Sequence, residues 1–242
     1  ADDAGARITD GRIGAVFYKT STGTSYAFDA AGTASLAGVP GFTLAGSLAA
    51  RVNTTGGAVN ESIAMPSGDP VSLVFAADDT APVFKGTVTA DASGFASLTG
   101  AFAISKSASE LTIAAAGVSA FVGADDTGLR VSSGKLGVII DTASQHYALV
   151  ASGTVSLEGI SDFQIAGSAA VRINTLGTTV DRTLSTPAGN VVLAFPTTAS
   201  VLQVSGGITL SISDFVSGSA TIVVEKSTVG DLTNLLVQAT EV

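Results

Sequence analysis

The sequence predicts an all-β fold made of two tandem, mainly antiparallel β repeats of about 120 residues. Three observations carry this expectation. Apolar and polar residues alternate with period two through most segments, Gly/Asn/Asp/Pro clusters punctuate them, and long stretches of the chain are written twice. Residues 38–54 read GVPGFTLAGSLAARVNT, and residues 159–175, 121 positions later, read GISDFQIAGSAAVRINT.

The repeat can be followed element by element. ADDAGARITDGRIG at the start returns as ADDTGLRVSSGKLG from Ala124, which places Arg130 over Arg7. Tyr147 then falls on Tyr26, Gly167 on Gly46, Arg172 on Arg51 and Asn174 on Asn53. Pro187 falls on Pro66, Phe195 on Phe75 and Gly206 on Gly86. The units are 1–123 and 124–242, each with roughly eight strands. A fainter echo divides each unit: Gly41, Gly94, Asp162 and Asp214 each precede a Phe and read as turns that launch a strand.

After Phe42, the residues Leu44, Gly46, Leu48, Ala50 and Val52 share one face, and Thr43, Ser47, Arg51 and Asn53 share the other. VSLVF at Val71–Phe75 and VVLAF at residues 191–195 are apolar on both faces and read as central strands. Between the strands lie hairpin and loop signals, NTTGG, MPSGDP, ADDTG and TPAGN. Gly46, Gly86, Gly167 and Gly206 interrupt strand patterns, where glycine marks a bend, a bulge or the close approach of another backbone. Antiparallel strands with such bends predict a sandwich or rolled meander first, and a continuous elongated β-stack second.

Composition excludes several function classes. The chain is 46% hydrophobic, so it is not disordered. Its net charge of −9, without a basic cluster, excludes nucleic-acid binding. With no cysteine there is neither a disulfide scaffold nor a thiolate metal site. No apolar run is long enough for a transmembrane helix. The opening ADDAGARI lacks Met or a signal-like segment, so the N-terminus is expected to be internal to a longer or processed chain. An acidic, Ser/Thr-rich surface fits a secreted, extracellular or cell-surface protein.

Reactive constellations are sparse. A Ser-His-Asp hydrolase would need His146, the single histidine, whose counterpart is Ser25; the expected reading is a partly exposed strand residue. Glu158 aligns with Ala37 and Glu61 with Arg182, so no carboxylate pair recurs. No phosphate-binding glycine loop is present. The strongest metal candidates are Asp125 and Asp126, mirrored by Asp2 and Asp3 and resembled by Asp78 and Asp79. Adjacent carboxylates at a repeat junction supply part of a calcium shell, but calcium takes six to eight oxygens, so a solvated turn is the preferred reading. Arg51 and Arg172 either contact an anion or glycan or, the preferred reading, lie along the polar strand face with their stems covering Ala and their heads paired or solvated. Asn53 and Asn60 head formal N-x-[ST] sequons.

The pattern GTxSLxG, then FxxAGS, R-V/I-NT and a terminal KS, resembles the tandem repeats of very large secreted bacterial surface proteins of the adhesin, extracellular-matrix or S-layer kind. The resemblance spans essentially the whole chain and rests on texture. It implies a non-enzymatic structural module, a spacer, filament or matrix subunit, whose partners are copies of itself or adjacent repeats, with no cofactor expected beyond candidate calcium. From another class, the mean hydropathy of +0.50 leaves room for an apolar groove that binds a lipid, glycan or hydrophobic partner. An outer-membrane barrel would suit strands of this length but needs aromatic girdles, and Trp is absent.

Overall fold

A computed structural model describes residues 5–20, 23–37, 42–79, 81–92, 96–124, 127–159, 163–212, 216–229 and 232–241. The strands of the first repeat are β1 (Gly5–Thr20), β2 (Gly23–Ala37), β3 (Phe42–Asn53), β4 (Val59–Ile63), β5 (Val71–Phe75), β6 (Val83–Ala92), β7 (Ala96–Lys106) and β8 (Glu110–Ala124). Those of the second are β9 (Thr127–Asp141), β10 (Tyr147–Glu158), β11 (Phe163–Asn174), β12 (Val180–Thr186), β13 (Gly189–Phe195), β14 (Ser200–Ile212), β15 (Val216–Val229) and β16 (Leu232–Glu241). The chain is all-β and antiparallel, as its alternation predicts. No helix occurs among the described residues, so none is long and apolar enough to cross a membrane.

Twelve strands form one open sheet in the order β1-β2-β3-β6-β7-β8-β9-β10-β11-β14-β15-β16. Each neighbour follows in chain order except where a hairpin leaves the sheet, β4–β5 between β3 and β6, and β12–β13 between β11 and β14. The β8–β9 ladder carries the sheet across the repeat junction, with Val122 opposite Leu129 and Leu111 opposite Ile140 on either side of two register shifts between Ala115 and Ala120. The strands meander through one open sheet and form neither the sandwich expected first nor the stack expected second, because, the two hairpins aside, each strand pairs with its neighbours in chain order across the whole chain.

VSLVF and VVLAF are not central strands. They form the inner halves of the two hairpins, with Val71, Leu73 and Phe75 buried and Ser72 and Val74 exposed, and likewise Val191, Leu193 and Phe195 buried. Their outward apolar residues are tolerated because hairpin strands are short and singly exposed side chains are ordinary. The hairpins lie against one side of the sheet. β5 rests on β1 and β2, while β12 rests on β7 and β8, and β13 on β8, β9 and β10. Small residues make room beneath them. A methyl on Gly14 would fall 2.7 Å from a Val71 Cγ, and one on Gly137, its repeat counterpart, 2.7 Å from a Leu193 Cδ. Ala27 and Ala148 are fully buried beside them. The β1 bulge is also repeated, with Asp10 (φ 51°) and Ser133 (φ 54°) both left-handed at equivalent positions.

Candidate functional site

The repeated R-V-N-T stretch sits where the chain leaves the sheet for a hairpin. Its Arg51 stacks a guanidinium 4.4 Å above the Phe75 ring and bonds the Val74 carbonyl and the Asp29 carboxylate, the latter at 2.9 Å. Arg172 repeats this over Phe195 at 5.0 Å, donating to the Ala194 carbonyl at 2.5 Å and to Gln203. Both arginines therefore clamp the hairpin onto the strand that precedes it. Asn53 and Asn174 are buried. Their amides donate to the Gly57 and Thr178 carbonyls, and their side-chain oxygens accept from the backbone of Thr55 and Leu176. Each asparagine thus stands in for missing backbone partners where the chain turns out of the sheet. Thr54 and Thr175 exchange hydrogen bonds with the backbone of Tyr26 and Tyr147, extending the ladder by one residue. Burial and these hydrogen bonds occupy the Asn53 side chain in packing.

Asp2, Asp3, Asp125 and Asp126 lie outside the described residues, as do Gly41, Gly94, Asp162 and Asp214. Asp79 accepts from the Ala76 amide at 3.1 Å and caps the turn after β5. Glu158 pairs with Arg130 at 2.7 Å, and Arg130 also covers Phe121. His146 is not in a strand; it lies exposed in the turn between β9 and β10. Asp141 nucleates that turn by accepting from the Ala143 and Ser144 amides, and these bonds hold its carboxyl below the usual range, Ser144 contributing most. Tyr18 has its hydroxyl pushed up, by desolvation first and then by its bond to Glu61. Among the described residues no group of three His, Cys, Asp or Glu is placed to hold a metal ion.

The feature that remains is a surface. The side of the sheet opposite the hairpins carries the apolar half of every alternation. Cross-strand partners place Ile13, Ala30, Ala50, Phe84, Ile104, Ile113, Val138, Leu149, Ile173 and Leu202 in one unbroken row from β1 to β14. Among the described residues nothing covers this bare face. Ile8 is 73% exposed, Ile13 67% and Ile208 57%. The accessible surface is 14640 Å², where a compact monomer of 23.7 kDa has about 9,800 Å².

The bare face is corrugated by the in-strand glycines. A side chain at Gly46 would run into the Thr87 carbonyl oxygen of β6, and one at Gly167 would meet the Gly207 carbonyl oxygen of β14 at 2.5 Å. The glycines permit close backbone approach and leave hollows between ridges of larger side chains. Three apolar hollows result, of about 390 Å³ near Leu48 and Phe102, 530 Å³ near Leu98 and Leu136, and 430 Å³ near Val204 and Ile222. The sequence alternation predicted an apolar face but not that it would stay uncovered. Comparison with protein-family models, with characterised proteins and with solved structures finds no match.

Proposed function

We propose that this chain is a non-enzymatic structural module of an extracellular or cell-surface assembly, working by extending a β-sheet through tandem repetition. The observation that supports this best is the junction. β8 of one repeat pairs with β9 of the next, and the second hairpin straddles the joint, its Arg182 bonded to Glu110 of β8 at 3.0 Å. The first repeat thus presents a strand to which the next repeat adds, and the added repeat's own hairpin reaches back over the joint. The hydrogen bonds of the R-V-N-T and R-I-N-T stretches go into holding each hairpin and its entry turn to the sheet.

The three apolar hollows favour a second reading, a module that binds a lipid or another hydrophobic partner. The two readings separate in solution. The structural module gives elongated assemblies by electron microscopy and sedimentation, which persist or grow as salt rises, because screening a net charge of −9 removes repulsion. A compact monomer at every salt and protein concentration rejects the structural reading. Saturable binding of a hydrophobic probe at one site per chain then favours the second.

A further inference from the structure

We propose that the bare face is a self-association surface, stacked face to face on the bare face of a second copy, so that the single-layer sheet is one half of a β-sandwich. The inference rests on the structural reading above and adds a partner and a geometry to it.

Area argues first. Twelve strands at about 4.8 Å spacing and about ten residues of height give a face of roughly 53 by 34 Å, or about 1,800 Å². A stable interface needs about 800 Å² from each partner. A face of that size, bordered by ladders that leave no gap, exceeds the few hundred Å² of contiguous apolar surface that a soluble monomer leaves in water.

Charge argues second. Outside the bulge at Asp10, the ladder registers assign only Lys19, Lys106 and Lys226 to this face among the charged residues with described side chains, all toward the end where the hairpins leave. A two-fold axis running across the strands sets the lysine end of one sheet over the opposite end of the other. Like charges then stay apart, and the contact is isologous. Relief argues third. The three hollows recur along the face, alternating with ridges such as Leu48, Phe84 and Val204. A small ligand fills one hollow, whereas a second corrugated sheet about 10 Å away engages all three, its ridges entering the hollows at the shallow angle that stacked twisted sheets adopt.

The chain has no cysteine, so single-cysteine reporters are clean. Ile208→Cys on the bare face should be protected from maleimide at high protein concentration and become reactive on dilution. Val192→Cys, on the outer surface of the second hairpin, should react at every concentration. In sedimentation equilibrium, Leu48→Glu with Ile208→Glu should raise the dissociation constant of the paired layer more than about a hundredfold, since buried, unpaired carboxylates are costly. Val74→Glu with Val192→Glu carries the same charge and should leave it unchanged. Should the Leu48→Glu, Ile208→Glu double variant lose its β circular dichroism, the protection of the Ile208→Cys thiol decides alone.

An Ile208→Cys thiol that reacts with maleimide at all concentrations overturns the proposal. So does protection that appears only with phosphatidylcholine vesicles, which would make lipid the occupant. Single-layer ribbons in the electron microscope, with the same thiol reactive, sink the stacking while the structural module stands. Paired layers that never lengthen sink the module and keep the stacking.

Discussion

The two hairpins are close in sequence and rest on unequal foundations. Around the first, Ala27, Val59, Leu73 and Phe75 are buried, joined by Val16 and Ile63. Around the second, the counterparts Ala148, Val180, Leu193 and Phe195 are buried together with Val191 and Ile139, and with Ala114 and Ala116 of β8. The extra members Ala114 and Ala116 come from the strand that precedes the junction. The first hairpin sits on β1 and β2, whereas the second also covers the last strand of the repeat before it. A hairpin core is therefore completed by the neighbouring repeat, and the cohesion of each unit depends on what stands beside it.

Hollowing out either core should have the largest effect. Leu193→Ala should cost about 4 kcal/mol and Leu73→Ala about 3 kcal/mol, because both leucines are fully buried but the first core has fewer neighbours to lose. Urea unfolding of each variant measures this; a larger loss at Leu73 would mean that the junction adds nothing. Gly46→Val and Gly167→Val should each cost more than about 2 kcal/mol, since a side chain meets the adjoining strand's carbonyl. Gly46→Val should be the worse, its carbonyl lying nearer. Melting curves like wild type for both would refute the close-approach argument.

Removing the turn-forming amides is milder. Asn174→Ala and Asn53→Ala should each cost about 1–3 kcal/mol by removing a buried side chain and the bonds it makes to the turn backbone, and hydrogen exchange should locate the loss in the turns that hold Thr178 and Gly57. Arg182→Ala breaks a partly exposed pair and should cost under about 1 kcal/mol, with its effect confined to the second hairpin.

The smallest effect is in pH. The Asp141 carboxyl titrates lower in the folded chain than in the unfolded one. Its contribution is therefore present above the unfolded value and is lost as pH falls through the folded one. Asp141→Asn should flatten the acid side of the melting-temperature profile slightly, and an NMR titration of Asp141 should show the lowered midpoint.

Much of this architecture is legible in the chain itself. Period-two alternation marks the two faces of β3, and the recurring R-V-N-T and R-I-N-T mark a shared local device. The repeated glycines mark close approaches, which Gly46 and Gly167 are. What alternation cannot tell is which apolar stretch covers which. VSLVF and VVLAF read as central because both of their faces carry apolar residues; only the small residues opposite them, Gly14 with Ala27 and Gly137 with Ala148, mark a hairpin lying on the sheet. Those residues sit dozens of positions away, and that distance hides them from a local pattern. The clamp role of Arg51 is hidden likewise, because Phe75 and Asp29 meet it only across strands.

The order of strands in the sheet also determines how the chain answers a pull. Tension applied from β1 toward β16 acts across the strands, so it loads the ladders one rung at a time instead of all together in shear. Such a sheet peels strand by strand at modest force and lengthens by many steps before it parts. The clasped ladders are the exceptions: β5 lies on both β1 and β2, and β12 and β13 together lie on β7, β8, β9 and β10, so separating those strands also requires a hairpin to lift off. Under load the β8–β9 joint would thus outlast the unclasped ladders, such as β3–β6 and β14–β15, so the sheet gives way away from the joint first.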